Sequence, residues 1–558
     1  MSERWNLLQP LSWIGPLPHV QWPLTIALGI AVILAFMIGK WVIGTLRPKD
    51  FPPGPPVIPG LGNLHQMPIG KPYLKFHEWS EQYGDIIGLK TGTGNLVVLN
   101  TPEVVHEYFE KRGAICSNRP VNHIMTKHVL YEPEEKGLLI LQYDEYYRRW
   151  RKSFQFILSA AGIKRLLPLL EAEASNLCKK FLDGGKDFEQ RARHWALAVP
   201  VVAITGERLD DLPADYADKV CHAQEVMLEL ILPGAAPPVD IFPILKYVPE
   251  FLAKWKSRAR YVRKCLVDDA NSYLVSAQRT YQQLVQDPDS VGFDSLLPKI
   301  MKEQSASQEK EKFTNTELAF IGQGAIGAAV DTTLGTFKSL MLAFAAFPET
   351  LRKAQKEIDS LAGNEPLESE KLGELKYLKA CLLEVLRWRP TAPQCLPHAL
   401  SKDERIGQYF FPKGTVFIAN AWTIQRNGKE YDRPNEFIPE RFIDSPFGLS
   451  SSFKTDTDDL ENRGRKVLYV FGAGRRQCPG EQFAMTSLLL AAAKIVWAYN
   501  ILPPPGGLDM SVETGYKDGV ITEPAHPEVV FELRADNKKA AVLADADRTG
   551  HIARQLLG

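Results

Sequence analysis

Phe471 to Glu481 reads FGAGRRQCPGE. Cys478 lies between Gly474 and Gly480 and is followed by Pro479, with Arg475 and Arg476 just upstream and a helical pattern just downstream. Glycine at 472, 474 and 480 lets the backbone turn sharply and lets a flat ligand approach it closely. The start of the following helix offers amide groups and a positive dipole end, which lower a thiol's pKa toward thiolate. A lone cysteine is ordinarily a small buried hydrophobe. Framed by these glycines and arginines, Cys478 reads instead as a thiolate metal ligand.

Three weaker signals lie upstream. Glu384-Val385-Leu386-Arg387 places an acid and a base three residues apart on a helix that ends before Pro390, followed by Pro439-Glu440-Arg441-Phe442. The segment from Thr314, opened by the capping box Thr314-Asn315-Thr316-Glu317, is apolar on nearly every face as far as Pro348. At about 50 Å it runs through a core, and it carries Asp331-Thr332-Thr333. An acid inside such a helix needs partners or water, whereas Thr332 can satisfy itself on the carbonyl of Ala328. Together these residues resemble the cytochrome P-450 family of haem-thiolate monooxygenases, most closely its fungal microsomal members. The likeness rests on Phe471, Gly474, Arg476, Cys478 and Gly480 at the family's spacing.

The resemblance implies a mainly α fold with small β-sheets, a single large haem domain. It implies haem b with Cys478 as axial ligand, bordered by Phe471, Gly474 and Gly480. Arg476 pairs with a propionate. Arg151, in Tyr147-Arg148-Arg149-Trp150-Arg151, does the same, or else is a solvated charge on a basic helix; tyrosine stands there where the family has tryptophan. His398, after Pro397, is a propionate neighbour or an ordinary core or surface histidine. Asp331 and Thr332 deliver protons to iron-bound dioxygen, with Ala329 where the family has glycine. Glu384, Arg387 and Arg441 form a buried structural network. Expected pocket linings are Asn122 to Val129, Phe320 to Val330 and Pro393 to Pro397.

Outside these motifs the chain reads as one folded unit. Its 558 residues carry 66 Lys+Arg against 66 Asp+Glu, and 45% are hydrophobic. Neutrality excludes the cationic excess that nucleic-acid binding requires. Seven scattered cysteines without a CxxC pair argue against a disulfide framework or thiolate zinc. Asp85 to Asn100 reads as a β-hairpin around Gly92 to Gly94, Thr415 to Ala419 as a strand, and Leu166 to Leu182, Pro348 to Leu361 and Gly480 to Tyr499 as helices. Met301 to Lys312 reads as a polar surface loop.

From Trp22 to Leu46 the chain is almost wholly apolar. Trp22 and Trp41 are about 28 Å apart on a helix, matching a hydrocarbon core of about 30 Å with an indole at each interface. A cleaved signal peptide would have a basic start and a cleavage site; a buried core helix would be more interrupted, and a surface helix would show a polar face. The reading is a transmembrane signal anchor at 22–46, after a short lumenal N-terminus at 1–21. Lys40, Arg47 and Lys49 against Arg4 place the remainder in the cytosol by the positive-inside rule. Residues 47–63 read as a stiff Pro-rich hinge or a Pro-rich loop. The monooxygenase domain is expected over 64–535, with a tail at 536–558.

The expected function is insertion of one oxygen atom from O2 into a lipophilic small molecule, in fungal secondary metabolism, at the endoplasmic reticulum membrane. No flavin or nicotinamide module is visible in the chain. Electrons are therefore expected from a separate NADPH-dependent flavoprotein reductase, with Arg148, Arg149, Lys152 and Arg475 as its docking face or as plain solvated surface. The alternatives are a haem-thiolate isomerase or a haem-binding sensor without turnover.

Overall fold

A computed structural model describes residues 22–131, 133, 135–213, 215–231, 236–287, 293–306, 312–453 and 457–557. The expectation for 1–21 lies outside the described residues. Helix α1 (Trp22–Gly44) is apolar along its length and leaves Ile26, Leu28, Phe36 and Ile43 exposed, so it could span a membrane. After α2 (Pro72–Tyr83) come β1 (Ile86–Thr91) and β2 (Gly94–Leu99), an antiparallel hairpin that pairs Thr91 with Gly94 at its tip. The helical body then follows as α3 (Pro102–Val105), α4 (Glu145–Ser153), α5 (Gln155–Leu158), α6 (Ala160–Lys180), α7 (Phe188–Thr205), α8 (Tyr216–Leu230), α9 (Lys254–Gln286), α10 (Leu296–Ala306), α11 (Asn315–Ala346), α12 (Pro348–Ala362) and α13 (Lys376–Trp388). Strands β3 (His398–Ala399), β4 (Glu404–Ile406), β5 (Tyr409–Phe411) and β6 (Val416–Ala419) precede α14 (Ala421–Ile424), α15 (Arg441–Asp444), α16 (Thr457–Asn462) and α17 (Glu481–Ala498). The chain closes with β7 (Tyr499–Leu502), β8 (Val530–Leu533) and α18 (Asp536–Leu557).

Helix α11 starts at the capping box: Thr314 Oγ1 accepts from Glu317 N, and Glu317 accepts from Thr314 N at 2.9 Å. Most of its residues from Leu318 to Ala345 are buried, against α7, α9 and α13, with Ala325 and Ala329 half-buried and Ala328 exposed. With no polar face, the only stable place for such a helix is the interior. Beside it lies a four-stranded sheet in the order β1-β2-β6-β3, in which β2 and β6 run parallel. All seven cysteines are free.

Three expectations change. The Pro-rich stretch 47–63 is strapped to the domain instead of hinging. Arg47 donates to the carbonyls of Gly54, Pro55 and Gly88, Gly88 N donates to Pro53 O, and Asn63 Nδ2 donates to Pro55 O. Proline removes donors but leaves carbonyls, and these carbonyls are what the Arg47 and Asn63 side chains grip. Met301 to Ala306 belongs to α10, while 307–311 lie outside the described residues.

The 536–558 stretch is no tail either, since 536–557 form α18, docked on α6. Its buried face is Lys538, Val542, Asp545, Thr549 and Ala553, a helical spacing hidden in the sequence because it is mostly polar. Burial of that face depends on partners: Lys494 Nζ lies 3.0 Å from Glu171 and 2.9 Å from Asp545, Arg548 is 2.8 Å from Asp545, and Ser175 donates to Asp545 at 2.7 Å.

Removing one member of a buried ion group strands its partner in low dielectric. Asp545→Ala should therefore lower urea-unfolding stability by about 3 kcal/mol. Lys539→Ala, on the exposed face of α18, should change it by less than about 0.5 kcal/mol.

Candidate functional site

The Cys478 loop is held from behind by a closed polar network. Glu384, on α13, receives Arg387 Nε at 2.7 Å and Nη2 at 2.8 Å, and Arg441 Nε at 3.1 Å. Glu384 and Arg387 have no exposed area. Arg387 also donates to the carbonyls of Gln425, Pro434 and Glu436. Thus the three residues expected as a network are brought together, with both charges of each pair satisfied.

Gln425, which no motif marked, joins this network to the loop. Its Nε2 donates to Leu386 O at 3.0 Å, and its Oε1 accepts from Tyr469 N at 2.7 Å. Two residues on, Phe471 O accepts from Cys478 N at 2.8 Å. At Gly474, φ is +63° and an added Cβ would stand 2.0 Å from Phe109 O, so no other residue fits there. Gly480 differs from expectation, with φ −90°; an added Cβ would meet only Cys478 Sγ, at 3.9 Å.

Cys478 itself is accessible at its surface, yet it is enclosed by protein atoms. Burial raises its thiol pKa, against a lowering from the Gly480 amide. The expected lowering by the helix end is therefore outweighed: without a cation, desolvation favours the neutral thiol. A bound metal cation reverses that balance and deprotonates a coordinating thiol outright.

Basic side chains gather nearby, with Asp144 the acid that acts on Arg476 and Glu481 the one that acts on Cys478. Arg476 Nε donates to Ser117 O at 2.8 Å, Nη2 to Leu141 O at 2.5 Å, and its guanidinium lies 3.8 Å from the Tyr147 ring. Arg119, absent from the sequence-based expectations, donates to Leu396 O and Pro397 O while its Nε has no partner. Burial and the neighbouring Arg476 hold its pKa down to about 9. His398, in β3, is stacked on Phe109 at 3.8 Å, with Nδ1 2.7 Å from Cys116 O. Burial, then Arg119, keeps it well below the usual imidazole range. Arg151 reaches the Tyr147 hydroxyl at 3.5 Å. Buried guanidiniums held only by carbonyls call for an anion. A flat cofactor carrying carboxylates beside Cys478 meets that demand, so these residues fit haem.

Of the expected docking residues, Arg148, Lys152 and Arg475 are exposed, and Arg148 and Arg475 flank the Tyr143 ring. Arg149 turns away to stack on Phe313 at 4.2 Å. The expected pocket linings partly converge: Ile124, Met125 and Phe320 share one apolar cluster with Met227 and Trp255. Residues 396 and 397 serve Arg119 instead.

Thr332 Oγ1 donates to Ala328 O at 2.9 Å, the self-satisfying arrangement, which leaves its lone pairs free to accept. Asp331 has its pKa raised to about 6 by burial and then by Glu523.

A family description, cytochrome P450 written here as cytochrome P-450, matches residues 52–531. The chain belongs to the cytochrome P-450 family. It is similar to the cytochrome P-450 monooxygenase grgG of Penicillium sp, with 36% identity over 98% of this chain and 97% of that one. It is also similar to a cytochrome P-450 monooxygenase of Arthrobotrys oligospora, 31% identical over 95% and 97% of the two chains. A third, acuC of Aspergillus aculeatus, is 29% identical over 92% and 93%. The activity class is therefore that of a haem-dependent monooxygenase.

A carboxyl whose folded-state pKa is raised adds no cost below its unfolded value and costs stability as pH rises through about 6. Asp331→Asn should accordingly raise the thermal midpoint at pH 8, and the gain should vanish below about pH 4.

Proposed function

We propose that this chain oxygenates a lipophilic small molecule, with Cys478 as the residue that would hold the iron of haem b, anchored in the endoplasmic reticulum membrane and facing the cytosol. The observation that carries the ligand assignment is the accessible Cys478 thiol beside Arg119, His398 and Arg476, basic groups that have no carboxylate partner here. Bound there, haem supplies the dioxygen activation that a thiolate ligand favours.

The residues of the chain do the rest. Gln425 and the Glu384 network hold the loop so that Cys478 keeps its position. Arg119, Arg476 and Arg151 bind propionates, because a guanidinium suits carboxylate geometry. His398 is held in place through Nδ1 by Cys116 O. Phe471, Gly474 and Gly480 shape the loop against the flat cofactor. Asp331, its pKa raised to about 6, can exchange a proton within about a pH unit of neutrality and Thr332 has lone pairs free to accept a hydrogen bond, so the pair can move protons into the pocket.

Support for a membrane-side entrance comes from the anchor's end. Trp41 packs 5.5 Å from Phe242 and donates to Gly60 O, and the adjoining segment exposes Ile244, Tyr247, Phe251 and Leu252. His123 N, in the pocket-lining segment, donates to Asp240 in the same region. An apolar rim beside a membrane helix suits a substrate dissolved in the bilayer. A separate NADPH-dependent flavoprotein reductase supplies electrons, docking on the exposed Arg148, Lys152 and Arg475. The fungal relatives support a role in fungal secondary metabolism.

The full-length ferrous protein under carbon monoxide should show a strongly red-shifted Soret band that Cys478→Ser abolishes; a band typical of histidine ligation would sink the assignment. With reductase and substrate, Thr332→Ala should keep the red-shifted band but lower product formed per NADPH by at least about tenfold. Unchanged coupling would remove Thr332 from the proton path.

A further inference from the structure

The loop that runs from Tyr469 to Gly480 is joined to the segment preceding β3 by a thiol. Cys395 Sγ lies 3.0 Å from Tyr469 O, and because a carbonyl oxygen only accepts, the thiol keeps its proton and donates. Tyr469 O also accepts from Gly472 N at 2.9 Å, at the turn that leads through Phe471 toward Cys478. Among the described residues this is the one hydrogen bond between 392–397 and that loop.

Cys395 reaches Tyr469 from a backbone that suits another residue. Its φ is +54°, in the left-handed region where a Cβ crowds the neighbouring carbonyl and glycine is at ease. The turn is closed by Cys395 N donating to Ala392 O at 3.2 Å, and it is tied on its other side by Trp422 N donating to Pro393 O at 3.0 Å. Directly after it, Leu396 O and Pro397 O accept from Arg119 Nη1 at 3.0 and 2.6 Å. One short segment thus carries both the carbonyls that aim a buried guanidinium and the thiol that grips the cysteine loop. Backbone strain of this kind persists only where the surrounding contacts hold it, and here those contacts gather at the site.

We propose that Cys395 is a positioning residue that keeps Cys478 and Arg119 in register: its hydrogen bond to Tyr469 O locks the carbonyls of Leu396 and Pro397, which orient Arg119, to the loop that presents the Cys478 thiol. This rests on reading Cys478 and Arg119 as residues that hold haem, one at the iron and the other at a propionate. A rigid group gripped at two places needs both grips at a fixed separation. Cys395 makes no contact with that group itself. Glycine would suit its backbone better, and serine would keep a donor, so substitution separates the strain from the hydrogen bond.

The test compares Cys395→Ala, Cys395→Gly and Cys395→Ser with the unaltered full-length holoprotein. The rate at which the red-shifted ferrous–carbonyl band is lost in mild urea is measured beside the thermal midpoint. Cys395→Ala and Cys395→Gly, which lack a donor, should lose the band roughly threefold to tenfold faster. Cys395→Ser should stay within about twofold of the unaltered chain, since a hydroxyl still donates. Cys395→Gly should melt at the same temperature or higher, because the strain is relieved, so its faster band loss is not a weaker fold. Haem transfer to a scavenging apoglobin tests the register: Cys395→Ala and Arg119→Gln should each speed it, and the double variant should fall short of the product of the two. Whether the unaltered chain shows the red-shifted band judges the ligand assignment, whereas differences among the variants judge Cys395, so the two fail separately. Band loss in Cys395→Gly as slow as in the unaltered chain, serine behaving as alanine, or a fully multiplicative double variant would each overturn the proposal.

Discussion

Glu384 sits at zero exposure between two guanidiniums, and the geometry of the proximal side follows from keeping that charge satisfied. A carboxylate in such a place is tolerable only with several good hydrogen bonds, so α13, the 434–441 segment and Gln425 must all arrive together. Arg387 spends its remaining donors on three carbonyls, which fixes backbone that has no regular secondary structure of its own. Gln425 passes the constraint on to Tyr469 and so to the strand-like entry of the Cys478 loop. The position of one thiol thus depends on an ion cluster that never touches it.

The site also separates charge by side. Around the Cys478 loop lie Arg119, His398 and Arg476; burial, and then neighbouring guanidiniums, push Arg119 and His398 toward the neutral form. On the far side, burial is the largest influence on Asp331, followed by the charges of Glu523, Arg193, Lys338 and Glu225. The first arrangement asks for an anionic cofactor. The second raises the pKa of the Asp331 carboxyl to about 6. Both place destabilised groups at the functional centre, while the rest of the core, from Leu340 to Ala345 on α11 and Ile495 to Ala498 on α17, is apolar and buried.

Much of this was legible in advance. The hairpin around Gly92 to Gly94, the capped start of α11 at Thr314, and the helices 348–362 and 481–498 are set by local rules of turn, cap and periodicity. Arg119 and Gln425 were not legible, because each is a common polar residue whose meaning lies in a partner hundreds of positions away or on another element. Helix α18 escaped notice for the same reason, since Lys538, Asp545 and Thr549 read as surface until Lys494 and Glu171 are seen beneath them.

By itself the sequence determined the family, the cysteine loop, the acid–threonine pair and an apolar N-terminal helix, all of which depend on contiguous residues and fixed spacing. Tertiary structure alone decided which charges are paired and which are left for a ligand. It strapped 47–63 to the hairpin, left Arg119 without a counter-ion, turned Arg149 from the exposed basic face, and set Cys395 against Tyr469. Spacing along the chain specifies local geometry, but the energy of a charge is set by what surrounds it in three dimensions.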